Sequence, residues 1–132
     1  MSTHATGTLD VKNWDEKTYD EIGGKAKLTR ASVKQTFAGD LEGEGTVEYL
    51  MAYRHDGSAS FAGLLRVTGR LGGRSGSFVL QLSGTYEDQT AKATWTVVRG
   101  AGTGELQGLR GEGGFVAAHG PHGSVTLDYD FD

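Results

Sequence analysis

The chain has 132 residues, a formal net charge of −4, 22 glycines, one proline and no cysteine. That length makes a single domain, residues 1–132, with room for one sizeable core. The acidic balance and the lack of a basic stripe exclude a general electrostatic footprint for nucleic acid, disulfide and thiol chemistry are excluded, and no apolar run serves as a signal segment or a membrane span. A cytoplasmic location is expected, since the absence of cysteine fits a reducing compartment. So much glycine, without a collagen period or a Ser/Gln tract, points to tight turns, bulges and strand bends.

In chain order, Ala5 to Trp14 alternates around Leu9 and Val11 and predicts a first strand. The acidic stretch Asp15 to Glu21, with Trp14, Tyr19 and Ile22 among its charges, is expected to be a loop packed on one end of the fold. A sharper alternative makes Trp14, Asp15, Tyr19 and Asp20 a gate over a pocket. Gly23 and Gly24 end this stretch, and Leu28 to Gly39 reads as a second strand with Ala31, Val33 and Phe37 on one side. Gln35 shares their parity, the one amide expected to point inward. Gly45 to Arg54 and Ser58 to Leu71 follow, joined at His55-Asp56-Gly57. A type I turn with a glycine bulge pairs Arg54 with Ser58, which sets Tyr53 by Ala59, Met51 by Phe61, Tyr49 by Gly63 and Val47 by Leu65. A register shifted by one residue would mix the apolar and polar faces.

The next hairpin repeats the test. With Asp88-Gln89 as a two-residue turn, Tyr86 opposes Ala91, Leu82 opposes Trp95 and Leu80 opposes Val97, while Gln81, Ser83, Thr85, Lys92, Thr94 and Thr96 fall on the other face. A Gly-rich turn region from Gly100 to Gly114, a short strand around Phe115 to Ala118 and a last strand from Ser124 to Phe131 complete the chain. Period-two alternation with one dry face means antiparallel strands, and eight of them close into a barrel just wide enough for side chains or one small ligand. By this parity the dry face holds phenols and an indole but no carboxylate, His, Lys or Arg.

Four segments resemble a known family. Gly102-Thr-Gly-Glu-Leu-Gln-Gly-Leu-Arg-Gly111 is similar to the Gly-Thr-Gly-x-Leu-x-Gly-x-x-Gly turn of the allene oxide cyclase barrels, of which dirigent proteins carry a related version. Together with Glu48 to Arg54, Gly69 to Leu80 and Thr126 to Phe131, it resembles a bacterial family of domains of unknown function, family 3224, over about residues 5–131. The resemblance implies an all-β, eight-stranded antiparallel closed β-barrel of the allene oxide cyclase-like, calycin-like type. Allene oxide cyclases guide a cyclisation in a greasy pocket and dirigents guide radical coupling, but no matching set of their polar pocket residues occurs here.

The lumen therefore carries the functional expectation. Gln35, Tyr49, Met51, Tyr53, Phe61, Leu82, Tyr86, Trp95 and Tyr129 are the candidate ligand-binding residues, because each phenol or indole brought inside needs a partner that a ligand or the backbone supplies. The expected ligand is a small hydrophobic molecule, whose cyclisation or isomerisation conformational restraint would promote. The alternative is a non-catalytic carrier or an interaction module with a packed core. No cofactor and no metal are expected. His119-Gly-Pro-His122 lacks further ligands and reads as a hairpin turn, His4 and His55 as solvated. The segment Gly100 to Gly114 lacks a phosphate-binding frame, and Gly73-Arg-Ser-Gly76 lacks a nucleophile elbow, leaving Ser75 as a turn residue. On the wet face, Leu50, Ala62 and Leu64 gather into a patch suited to a homo-oligomer contact, with Glu48 and Arg66 placed to pair beside it.

Overall fold

The computed structural model describes residues 2–118 and 122–132. Its strands are β1 (Thr3–Gly23), β2 (Ala26–Gly39), β3 (Leu41–Tyr53), β4 (Ala59–Leu71), β5 (Arg74–Glu87), β6 (Thr90–Val97), β7 (Leu109–Ala118) and β8 (His122–Phe131), with a 3-10 turn at Gly104–Leu106. Each strand pairs antiparallel with the next, and β1 pairs with β8, so the sheet is a ring. Both hairpin registers read from the sequence hold: Met51 faces Phe61 and Tyr49 faces Gly63 across β3–β4, and Leu82 faces Trp95 across β5–β6. Asp88 and Gln89 sit at φ 50° and 60°, the left-handed pair that a two-residue hairpin turn requires.

Asp15 to Glu21 departs from the expected loop. It continues β1, pairing with Ser32 back to Lys27 of β2, while Tyr19 and Ile22 stand exposed. Among the described residues, pairing with β8 runs as far as Asp10, while β1 continues to Gly23 along β2 at the rim. Its acidic and basic side chains suit an edge exposed to water.

The Gly-rich region is strand over its later part, not turn throughout: β7 starts at Leu109, well before Phe115. Its glycines are demanded by close backbone approach: a Cβ on Gly113 would stand 2.1 Å from the Thr126 carbonyl oxygen, and one on Gly111 would stand 2.5 Å from that of Asp128. The preceding loop closes one end of the ring. Leu106 is fully buried there, and the loop is strapped to β5 by Ser77 N–H donating to Thr103 Oγ1 at 3.0 Å and Thr103 N–H donating to the Ser77 carbonyl at 2.8 Å. Glu105 accepts from the Ser75 N–H at 3.0 Å, which places Ser75 in β5 while Gly72-Gly73 makes the turn.

Leu41, Leu71, Phe78, Val97, Leu109, Leu127 and Tyr129 fill this end with Leu106. The hydroxyl of Tyr129 lies where a Cβ on Gly72 would be, and its ring packs edge-on against Phe131 at 6.0 Å. Midway along the lumen Trp95, 2% exposed, donates its indole N–H to the Thr126 carbonyl at 3.0 Å. Trp95→Ala is expected to lower unfolding free energy in denaturant titration by about 3–5 kcal/mol, since it removes a packed indole and leaves a cavity the ring cannot collapse. A loss under about 1 kcal/mol would mean that the lumen is not packed at this depth.

Candidate functional site

The opposite end is open. A cavity of about 690 Å³ lies inside the ring toward the hairpin turns of β1–β2, β3–β4 and β5–β6. β1 contributes Leu9, Val11 and Trp14, β3 and β4 contribute Tyr49, Met51, Tyr53 and Phe61, and small residues Ala91 and Ala117 widen the far wall. Rings run from rim to core in one chain: Trp14 to Tyr49 at 5.9 Å, Tyr49 to Phe61 at 5.2 Å, Phe61 to Phe115 at 6.4 Å and Phe115 to Trp95 at 5.7 Å. Of the residues expected from parity, Gln35, Tyr49, Met51, Tyr53, Phe61 and Tyr86 line this space. Leu82, Trp95 and Tyr129 do not: Leu82 and Trp95 are sealed into the core, and Tyr129 belongs to the closed end. Tyr86 is 40% exposed, because it lies one residue from the end of β5 and reaches only the rim.

Strand parity alone misses Glu16. Val11 pairs with Gln35 but Asn13 pairs with Lys34, so Lys12 is an extra residue in β1. A bulge of this kind reverses the facing of everything beyond it. Trp14 and Glu16 consequently oppose the inward Val33 and Ala31. At the rim the Glu16 carboxylate accepts from Tyr53 Oη at 2.6 Å and Thr29 Oγ1 at 2.7 Å through Oε2, and from the Trp14 indole N–H at 2.9 Å through Oε1. A carboxylate thus stands where only neutral groups were expected. The signal in the sequence was the run of alternating positions that changes phase between Val11 and Trp14.

Burial pushes the Glu16 carboxyl up, but the hydrogen bonds from Tyr53, Thr29 and Trp14 and the charge of Lys27 outweigh it and hold it below its ordinary value. Burial, followed by the bond to Glu16, pushes the Tyr53 phenol well above its ordinary value. The pair is therefore a fixed carboxylate and a fixed phenol at neutral pH. Such groups bind and orient, and they are ill matched to proton transfer.

Deeper in the cavity, Gln35 is 5% exposed and its Oε1 accepts no hydrogen bond from the described residues. Burial pushes the Tyr49 phenol up to about 12, and a hydrogen bond from Gln35 draws it partly back. The residue opposite Gln35 on β3 is Gly45, which has no side chain to offer a donor.

The remaining motifs stay outside the cavity. The His119 to Pro121 part of the expected hairpin turn lies outside the described residues, and His122 bonds to the Asp10 carboxylate on the surface. His4, expected to be solvated, is exposed yet bonds to Asp128 at 2.5 Å. Among the described residues no group of three or more His, Asp or Glu side chains gathers to hold a metal ion. Glu48 pairs at 3.0 Å with Arg30, its diagonal neighbour on β2, instead of with Arg66, the corresponding diagonal neighbour on β4. Leu50 and Leu64 stand 56% and 55% exposed on the outer face.

A family model described as a protein of unknown function (DUF3224) matches residues 5–129. The chain belongs to the DUF3224 family. It is similar to a crystal structure of a DUF3224 protein of unknown function from Shewanella oneidensis MR-1, with 33% identity over 100% of this chain and 99% of that one and a TM-score of 0.84. Comparison with curated proteins gave no match. The DUF3224 fold thus extends over the whole ring, including the loop that closes one end.

The depressed Glu16 pKa sets a pH test. A carboxyl whose folded pKa lies below the ordinary 4.5 stabilises the fold fully above that pH and loses this contribution as pH falls through the folded pKa. The melting-temperature gap between wild type and Glu16→Gln should be flat above about pH 5 and should narrow below it. A gap that stays constant down to about pH 3 would show that the rim network does not depend on an ionised carboxylate.

Proposed function

We propose that this protein binds a small hydrophobic molecule inside its ring, at the open end, and holds it in one conformer. The observation that carries this reading is the unequal filling of the lumen. One half is packed with Leu, Phe and Trp, whereas the other leaves about 690 Å³ within walls of aromatic and aliphatic side chains. Ligand sites of small molecules typically fall in the range of about 300–1,000 Å³ and combine apolar walls with a few polar groups. Gln35, Tyr49, Tyr53, Tyr86 and Gln89 are such groups in the wall, and the Glu16 carboxylate is bonded to Tyr53 at the rim. A module that served only as a packed structural core would have larger residues than Ala91 and Ala117 at these positions.

Restraint of a flexible molecule in such a space accelerates ring closure or isomerisation without a strong acid or base, by removing unproductive conformers. That chemistry accords with the resemblance to allene oxide cyclase-like barrels, and it suits a rim whose carboxylate and phenol are poorly matched to proton transfer. A carrier role uses the same cavity without turnover.

The neutral dye N-phenyl-1-naphthylamine tests the binding step. Its emission should rise and shift to the blue with the wild-type chain, and Ala117→Trp, which places an indole in the cavity, should weaken the affinity by about tenfold or more with the circular dichroism unchanged. Absence of enhanced emission with wild type, or equal uptake by the Trp variant, overturns the reading.

A further inference from the structure

We propose that the lumen selects neutral molecules that carry a hydrogen-bond donor on an apolar body, such as alcohols, phenols or amide N–H groups, and that it rejects carboxylates. This inference rests on the binding reading above and narrows its ligand class. It begins from Gln35 Oε1, a buried acceptor that borders the cavity and has no partner. Buried polar atoms are almost always paired, because an acceptor removed from water without a donor forfeits its hydration. Among the described residues no donor takes this place. The Tyr49 hydroxyl accepts from the Gln35 amide N–H and makes no bond to Oε1, Gly45 across the strand pair has no side chain, and Leu9, Val11 and Phe115 around the cavity offer no donor. A carbonyl oxygen accepts only, so its complement is an O–H or N–H of the ligand.

Rejection of anions follows from the rest of the wall. Among the described residues no Lys, Arg or His lines the cavity, so a carboxylate drawn inside meets no counter-charge from them to offset its lost hydration. The rim adds repulsion. Glu16 holds a carboxylate beside Trp14 and Tyr53, both of which border the mouth. Lys27, a cation beside this rim group, is already engaged: its ammonium lies over the Tyr53 ring, 5.1 Å from the centroid, and its charge acts on Glu16.

Calorimetric titration of the full chain with cyclooctanol, cyclooctanone and cyclooctanecarboxylate at about pH 7.5, where the acid is ionised, separates the alternatives. These probes share one ring and differ in the polar group. The alcohol should bind about tenfold tighter than the ketone and at least about a hundredfold tighter than the carboxylate. In Gln35→Leu the alcohol and ketone should bind equally within about twofold, with ketone affinity kept, and Gln35→Met provides the same test should the Leu variant fold poorly. Glu16→Gln should recover part of the carboxylate affinity.

Equal wild-type affinity for alcohol and ketone, which a resident water on Gln35 would produce, overturns the inference and leaves the binding reading standing. So does a preference for the alcohol that persists in both Gln35 variants, or a carboxylate that binds as well as the alcohol. Failure of all three probes to bind overturns the inference and the binding reading together.

Discussion

Eight register pairs between β1 and β8, from Thr3 with Tyr129 to Asp10 with His122, turn a sheet with two edges into a ring. Everything inside depends on that pairing. Once the circumference is set by the strand number and tilt, the lumen has a fixed width, and side-chain volume alone decides where it is solid and where it is hollow. At the closed end the inward positions hold Leu, Phe and Tyr, and Leu106 is inserted from below. Toward the hairpin turns that flank the open end the same faces carry Ala91 and Ala117, and the space they leave is part of the cavity.

The polar groups are distributed by depth. At the rim, where water competes, Glu16 gathers donors from β1, β2 and β3 and ties the protruding part of β1 to the wall. Farther in, polarity falls to one phenol and one amide, and there the pairing is incomplete. Hydrogen bonds strengthen as the local dielectric falls, so an unpaired atom at Gln35 discriminates more sharply than the paired atoms at the rim. Rigid aromatic walls keep that atom from finding a partner by local collapse.

Much of this was legible in the chain. Two hairpins with unambiguous parity fixed the registers of β3–β4 and β5–β6, and a slip by one residue would have buried Glu48 or Lys92. The inward facing of Tyr49, Met51, Phe61 and Gln35 followed from that pattern. Glu16 did not, because a single bulged residue at Lys12 reverses the phase and a charged run reads as a loop when counted by composition. β7 was hidden for a different reason. Glycine ordinarily punctuates strands, yet Gly111 and Gly113 are required within one by the approach of the β8 backbone. The depth at which the core becomes solid, which separates Phe61 from Leu82, depends on volumes summed around the ring and has no signature in any one strand.

Ring closure also dictates how the molecule must fold. Neighbouring strands form hairpins from residues close in sequence, but β1 meets β8 only after nearly the whole chain is in place; His4 and Asp128 are 124 residues apart. The entropy of joining such distant segments is lost before their contacts repay it, so closure comes late and the chain folds on the slower timescales of non-local β topologies. Until then β1 and β8 are open edges of a half-rolled sheet. The charges at Asp10, Lys12, Asp128 and Asp130 on those two strands keep this intermediate from pairing with another copy of itself.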